Sequence, residues 1–287
     1  MTFEVFADGS ANLPKSMLEG ISLLPCEYSV NDQIHTYLGD VDNFDAHSFY
    51  EGLKNGNVIK TTLLNTSLFL SHFTPLLEKG KDVIYICMSS GISGTYNSAR
   101  LAALELMEKY SGRFVHIVDS LGCGFGSGLL AERAARLSRQ DVNVKEAAKI
   151  LDEEVMHTCQ YFTVDDLNFL KNSGRVNGVT AKIATVLNIK PILFGDKTGH
   201  IIASGKVRGR KKSIEMLAGI FSEKRIKDED QHICISHGDC LDDANELASL
   251  VSAIEPDAPI TVCQHEPFSG SHVGPGMLGL FFRGTER

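Results

Sequence analysis

Short apolar runs rich in β-branched residues alternate with helical patterns over the first half of this chain of 287 residues. Strands are predicted at 3–7, 22–30, 33–38, 83–87 and 114–119, with a turn at Asn31-Asp32. Helices are predicted after Leu13-Pro14, at 45–52, 67–79 and 129–137, and from 101 onward. Strands that alternate with helical crossovers form a mostly parallel sheet with helices on both faces, so we expect an α/β fold.

The pattern changes near residue 140, where the strands become shorter and closer together. Strands are expected at 160–164, 189–194, 200–205, 231–236 and 260–264, and helices at 145–157, 167–171, 211–222 and 242–254. Asp196 to Gly199 is typical of a hairpin turn. We therefore expect an N-terminal α/β domain at 1–155 and a second, α+β domain at 156–287. This expectation leaves open a return of the last strand to the first domain.

Hydroxyl-bearing side chains and glycines are concentrated where the strand at 83–87 ends and the next helix begins. The segment from Met88 to Ala99 reads MSSGISGTYNSA. Such a junction exposes unpaired backbone N–H groups and the positive end of the helix dipole, and hydroxyl groups can hold an anion there without adding full charge. We therefore expect an anion site. The alternative is that Ser89, Ser90 and Ser93 only cap the helix.

The composition excludes several classes of protein. A net charge of −8 argues against nucleic acid as the main partner. No apolar run approaches the roughly 20 residues that span a bilayer, and the first residues enter a strand without a secretory signal. The seven cysteines contain no Cys-x-x-Cys pair, so we interpret them as buried thiols in a reducing cytoplasm, with no metal site.

Catalytic and nucleotide-binding signatures are incomplete in this chain. Gly91-Ile-Ser-Gly-Thr95 is not Gly-x-Ser-x-Gly, because threonine occupies the last place. The turn from Ser120 to Gly128 lacks the full Gly-x-Gly-x-x-Gly spacing, and no Walker-type lysine sequence occurs. The sequence therefore predicts no cofactor, no catalytic residue of its own and no nucleotide bound by the chain alone.

Five segments together resemble the DegV family of bacterial fatty-acid-binding proteins. They are the hydroxyl-rich segment 89–99, the DLNFLKNSGR segment 166–175, IKPIL at 189–193, the basic run KVRGRKK at 206–212 and HVGPGMLG at 272–279. Two departures accompany these matches. The family's Asp-Ser pair is here Asp8-Gly9-Ser10, and its Thr-Ser-Gln-Pro-Ser segment is here TTLLNT at 61–66, which keeps the threonines and loses the Gln and Pro. The resemblance therefore leaves the loop shape and the details of acyl selectivity open.

The resemblance implies two α/β domains with a long-chain fatty acid between them. It implies that the chain presents the acyl carboxylate to a separate ATP-binding kinase subunit, where acyl-phosphate forms. The carboxylate site implied is Thr61, Thr62, Ser93 and His272; Arg175, Arg208 and Arg210 are implied near the head group or in partner docking. A transient contact with a membrane surface is compatible with a long-chain fatty acid as the ligand.

A neutral hydroxyl cradle suits this role physically. A fatty acid needs a dry apolar channel, and its carboxylate must keep hydrogen bonds when it leaves water. Two other classes stay open. One is a Ser-dependent acyl hydrolase or transferase that uses Ser93 with His116 or His272 as the base. The other is a regulatory lipid-sensing or interaction protein with an empty interdomain cleft.

Overall fold

The computed structural model describes residues 2–176, 188–227 and 230–287. The strands are β1 (Phe3–Asp8), β2 (Ile21–Leu24), β3 (Cys26–Val30), β4 (Gln33–Tyr37), β5 (Ile59–Thr62), β6 (Asp82–Cys87), β7 (Val115–Asp119), β8 (Thr158–Thr163), β9 (Ile189–Gly195), β10 (Ile201–Arg208), β11 (Ile233–His237), β12 (Ile260–Gln264) and β13 (Leu278–Arg283). The helices are α1 (Ala46–Lys54), α2 (Thr66–Glu78), α3 (Thr95–Lys109), α4 (Phe125–Arg139), α5 (Val144–Glu154), α6 (Asn168–Ser173), α7 (Arg210–Lys224), α8 (Leu241–Ile254) and α9 (Pro267–Val273).

The first sheet is parallel throughout and has the order β2-β1-β6-β7. Helices α2 and α3 cover one face, and α4 and α5 cover the other. Strand β6 lies in the centre with Val83 to Cys87 fully buried, as expected of a strand that carries helices on both faces. The predicted parallel α/β sheet is confirmed.

A small antiparallel sheet, β4-β3-β5, lies beside the first sheet and brings the Thr61 segment into the fold. Asn31 and Asp32 form its tight turn, and both have positive φ, as a two-residue hairpin of type I′ requires. Strand β5 was missing from the sequence-based prediction because its four residues, IKTT, are too few and too polar to show a strand period.

The second sheet is mixed and has the order β10-β9-β8-β13-β11-β12. Strand β13 pairs antiparallel with both β8 and β11, so the last strand stays in this sheet and does not return to the first. The predicted hairpin between β9 and β10 is confirmed, and the Asp196 carboxylate accepts hydrogen bonds from the Thr198 and His200 N–H groups in its turn. Helices α7 and α8 cover one face of this sheet.

Helix α4 lies between the two sheets and contacts both of them. It begins at Phe125, four residues before the predicted start, because the glycines that resembled a turn are helical. A Cβ at Gly126 would lie 2.5 Å from Gln160 Oε1 of β8, and one at Gly128 would lie 2.6 Å from the Ala11 carbonyl. The missing side chains therefore allow close approach of the helix to its neighbours on both sides.

The helix predicted after Leu13-Pro14 is only a single 3-10 turn, Lys15–Met17. The chain reaches Gly20, whose φ is +79°, and then enters β2, which leaves no room for a longer helix. In the described part of the chain, none of the helices combines the length and the apolar character needed to cross a bilayer.

Candidate functional site

A cavity of about 240 Å³ lies between the first domain and the second sheet. Most of its wall is apolar: Leu63, Met88, Ile92, Leu121, Phe162, Leu170, Ile201, Phe268, Val273, Met277 and Phe281. Polar side chains line it from both halves of the chain: Thr61, Ser89, Ser93, Cys123, Gln160, Arg175, His265, Ser269 and His272. The cavity is therefore suited to a long apolar ligand that has one polar end.

Thr61 and His272 meet at the cavity wall, although 211 positions separate them in the chain. Thr61 lies on β5, His272 lies in the last turn of α9, and Thr61 Oγ1 lies 3.0 Å from His272 Nε2. Burial and the nearby Arg175 guanidinium lower the pKa of His272 to about 4. The imidazole is therefore neutral at pH 7 and carries one N–H donor.

Ser93 lines the cavity immediately before α3. Its hydroxyl donates to Thr95 Oγ1 at 3.0 Å and accepts from the Thr95 N–H at 3.2 Å, while the Leu64 N–H donates to Thr95 Oγ1 at 3.2 Å. Helix α3 has Gly94 at its N-cap position, without a capping side chain there. Ser93 thus both supports the helix start and faces the cavity.

Ser89 and Ser90 have different roles from Ser93. Ser89 is buried, and its hydroxyl donates to the Gly199 carbonyl at 2.8 Å, which ties the β9–β10 hairpin to the hydroxyl-rich loop. A Cβ at Gly91 would lie 2.6 Å from the Gly199 backbone, so the two loops approach more closely than a side chain permits. Ser90 is exposed, and its backbone N–H donates to Asp119.

Arg175 also lines the cavity, at the end of the segment that follows α6. Its guanidinium donates to the Ser173 carbonyl, and the side chain is partly exposed. It is close enough to His272 to lower the pKa of that imidazole. A cation therefore lies beside the neutral polar groups Thr61 and His272.

Three predicted site residues lie outside the cavity. Thr62 is exposed and points away from Thr61, because successive side chains of a strand face opposite ways. Arg208 is exposed at the end of β10. Arg210 is 19% exposed and held by Asp243, with 2.8 Å between its Nε and the carboxylate, which leaves it fixed inside the second domain. The structure therefore does not place Arg210 on a docking surface.

Sequence reasoning missed a buried polar group of residues at the start of α9. His265 Nε2 lies 2.9 Å from Ser269 Oγ, and His265 Nδ1 lies 2.9 Å from Ser236 Oγ. Glu266 is fully buried, caps α9 by accepting from the Phe268 and Ser269 N–H groups, and contacts the Ser269 hydroxyl. The Glu266-Pro267 pair, an acceptor directly before a proline at the first helical position, was the available signal.

Burial sets the protonation of this group. It raises the pKa of Glu266 to about 8 and lowers that of His265 to about 3, so both are mainly uncharged at pH 7. The inner wall of the cavity, to which His265 and Ser269 contribute, is therefore electrically neutral in spite of its polar atoms.

The arrangement does not assemble a serine hydrolase site around Ser93. The Ser93 hydroxyl donates to Thr95, and His272 contacts Thr61. His116, the other candidate base, pairs with Asp152 at 2.9 Å and does not line the cavity. Within 2–176, 188–227 and 230–287, no three His, Cys, Asp or Glu side chains are grouped as metal ligands.

Comparisons with a family model and with individual relatives identify the same protein family. The sequence model of the DegV family, described as uncharacterised proteins, matches residues 2–285. A DegV domain-containing protein of Clostridium perfringens is 34% identical over 286 residues, which covers 99% of this chain and 98% of the relative.

Solved structures agree with the sequence matches. DegV from Bacillus subtilis, described as a fatty acid binding protein, is 28% identical and superimposes with a TM-score of 0.82 over 99% of this chain and all of its own. A DegV lipid binding protein from Thermotoga maritima is 26% identical, with a TM-score of 0.83 over the whole of both chains.

Proposed function

Since this chain belongs to the DegV family, we propose that it binds one long-chain fatty acid in the cavity between its two halves and acts as a carrier. The observation that carries the proposal is the composition of the cavity wall, in which Thr61, Ser93 and His272 are combined with an otherwise largely apolar lining. The fatty acid binding described for the Bacillus subtilis relative supports it.

The apolar wall accounts for affinity. Each CH₂ group that leaves water contributes roughly 0.8 kcal/mol, so a long acyl chain supplies ample binding free energy even after the cost of ordering it. Phe162, Phe268 and Phe281 provide large rigid surfaces, while Met88 and Met277 are flexible and adapt to irregular ligand shapes. Preference among acyl chains would therefore depend on how these side chains repack.

The hydroxyl groups at the cavity wall would bind the carboxylate head group of the fatty acid. In the structure the Ser93 hydroxyl donates a hydrogen bond to Thr95 Oγ1. Thr95 has a proton of its own, so the two hydroxyls can exchange roles: Thr95 donates to Ser93, and Ser93 donates to a carboxylate. This reversal costs no buried hydrogen bond. Thr61, with the neutral His272 donating to its oxygen, supplies one further O–H donor, and Arg175 supplies positive charge near them.

We further propose that the carboxylate is presented to a separate ATP-binding kinase subunit and is not processed by this chain. Arg175 faces the cavity and is partly exposed, which suits a cation shared by the head group and a bound partner. The exposed Lys206, Arg208, Lys211 and Lys212 add positive charge on β10 and α7 of an acidic protein. A cytoplasmic location and a transient contact with a membrane surface during loading belong to this proposal.

Extraction and mass analysis of the purified protein test the binding step. We expect about one acyl chain per polypeptide, seen as a bound mass by native mass spectrometry and as a free fatty acid after denaturation. A protein that is lipid-free on purification and does not bind added oleate or palmitate would remove the carrier function. It would then favour a regulatory or interaction protein with an empty cleft.

A further inference from the structure

A second cavity, of about 260 Å³, is lined by arginine side chains, and among the described residues it shares none with the cavity that contains Thr61 and His272, here called the acyl cavity. The start of α4 lies beside the acyl cavity, where Gly122 and Cys123 lead into the helix. The second cavity lies along the remainder of α4, from Leu129 to Arg139. Its other walls come from the starts of β8 and β11 and from the end of β13.

Four guanidinium groups line this cavity. Arg133, Arg136 and Arg139 are spaced three residues apart on α4, and residues at this spacing lie on one face of a helix. Arg283 of β13 faces them from the second sheet. Like charges at this spacing oppose one another, so the arrangement needs anions.

Carboxylates of the protein neutralise part of this positive charge. Glu154 is almost fully buried and lies between Arg133 and Arg283, at 3.1 Å and 2.7 Å from their Nε atoms. Asp230 lies 2.9 Å from Arg136. Glu132 instead faces His232, 3.0 Å from its Nδ1.

After these pairs are formed, some guanidinium N–H groups of Arg136 and Arg139 are still not bound to a carboxylate that the structure describes. Arg136 Nε is buried and has no hydrogen-bond partner in the described part of the chain. Arg139 donates to the Glu19 carbonyl, a neutral acceptor, and has no carboxylate within ion-pair distance among the described residues. Arg136 and Arg139 both belong to the lining of the cavity, and the exposed side chain of Arg139 is open to a ligand.

We propose that this cavity binds a small phosphorylated anion through Arg136 and Arg139. Four of the described lining residues are arginines and none of the described ones is lysine, and the planar guanidinium matches phosphate oxygens in pairs of hydrogen bonds. The site is concave and lies in a chain of net charge −8, which disfavours an extended nucleic acid and favours a compact ligand. The ligand class is a phosphate or diphosphate group on a small molecule.

Calorimetric titration with pyrophosphate at 0.15 M salt tests the proposal. We expect saturable binding to the full chain that Arg139→Gln weakens at least tenfold, because a hydrogen bond to a charged group is lost. Arg139→Gln breaks no ion pair with a carboxylate, so the fold is expected to survive. Arg100→Gln, an exposed arginine on α3 outside the cavity, is the matched control and should bind as the unchanged protein does.

A second variant and a second anion complete the test. Arg136→Gln should also weaken pyrophosphate binding, and citrate should bind much more weakly than pyrophosphate. Absence of binding at millimolar pyrophosphate, or equal affinity in Arg139→Gln and Arg100→Gln, would show that the arginines form an internal ion-pair network only. Citrate binding equal to or tighter than pyrophosphate binding would overturn the phosphate assignment.

Discussion

Thr61 Oγ1 and His272 Nε2 are 3.0 Å apart, and this contact joins the small antiparallel sheet to α9 at the wall of the cavity between the first domain and the second sheet. Because the imidazole is neutral, the pair consists of one hydroxyl and one N–H without a net charge. Their mutual hydrogen bond uses one of these two protons, so a carboxylate beside the pair would meet one remaining donor, which is the Thr61 O–H when Nε2–H donates to Thr61. The conformational entropy of ordering these two side chains is therefore lost on folding, and ligand binding does not lose it again.

Removal of the head-group hydroxyls should weaken fatty acid binding. Ser93→Ala combined with Thr61→Ala deletes two donors to a charged group, each worth on the order of 1.5–3 kcal/mol, so affinity should fall at least about tenfold. Fluorescent fatty acid displacement measures the effect. Thr62→Ala is the matched control, since Thr62 is exposed and outside the cavity. A well-folded double variant with unchanged affinity would place the carboxylate elsewhere.

Thr95 should contribute to binding even though it does not line the cavity. Thr95→Val keeps the shape of the side chain and removes the hydroxyl that is hydrogen-bonded to Ser93 and to the Leu64 N–H. The Ser93 side chain and the segment after Thr61 would then be held less firmly, so we expect affinity to fall by roughly three- to tenfold. Thr95→Ser restores the hydroxyl and should restore binding. Failure of the serine variant to recover affinity would indicate a packing effect in place of a hydrogen-bond effect.

Arg175 should matter more for transfer than for holding the acyl tail. In a coupled assay with an ATP-binding kinase subunit, Arg175→Ala should reduce acyl-phosphate formation more than it reduces lipid affinity, and so should Arg208→Ala. Arg210→Ala provides the contrast. It breaks the pair with Asp243 and should lower the unfolding temperature. Phosphoryl transfer by the isolated chain, or equal losses of lipid binding and turnover in both Arg175 and Arg208 variants, would contradict the carrier role.

The buried Glu266 predicts a stability that falls toward alkaline pH. Its folded pKa of about 8 lies above the ordinary value of 4.5. Between these pH values the unfolded chain loses the proton while the folded chain keeps it, so the unfolding free energy falls as pH rises, by up to about 1.4 kcal/mol per pH unit. Urea unfolding of the protein and of Glu266→Gln at pH 5, 6.5 and 8 measures this contribution as the difference between the two.

The sign of the Glu266 effect is opposite to that of the neighbouring histidines. The folded pKa of His265 is about 3 against an ordinary 6.5, so its stabilising contribution is lost as pH falls below 6.5. His272 acts in the same direction. In the comparison with Glu266→Gln the histidine contributions largely cancel. A stability difference that stays constant from pH 5 to 8 would show that Glu266 ionises normally.

The sequence carried enough information to predict the parallel sheet and the hydroxyl-rich junction, because both depend on local patterns. The buried strand before Met88 and the glycines and serines after it are recognisable from residue type alone. The pairing of Thr61 with His272 is not local, and only the family resemblance brought these two residues together. The ion pair of Arg210 with Asp243 depends on tertiary placement, which spacing along the chain does not encode. The cap formed by Glu266 is local, and its signal, Glu266 directly before Pro267, was overlooked.

Two incorrect predictions have separate physical origins. Thr62 was grouped with Thr61 because the short β5 was not recognised as a strand, and without a strand there was no reason to assign adjacent residues to opposite faces. Gly126 and Gly128 were interpreted as part of a tight strand-to-helix turn, because the glycine-rich stretch from Ser120 to Gly128 directly follows a strand. Gly126 and Gly128 are tolerated there because tertiary packing leaves no room for a side chain.

The position of α4 between the two sheets bears on how the protein is made in a cell. A ribosome releases β1 and β6 before α4, but β8, β11 and β13 only afterwards. The first sheet can therefore cover one face of α4 early in synthesis. The ring of Phe125 is covered only after Phe281 has been made, and the two ring centroids lie 5.8 Å apart in the folded protein. A nascent chain halted near residue 155 would expose Phe125 and the other α4 side chains that pack against the second sheet, which makes it a target for chaperones and proteases. The two halves are thus dependent on each other from synthesis onward.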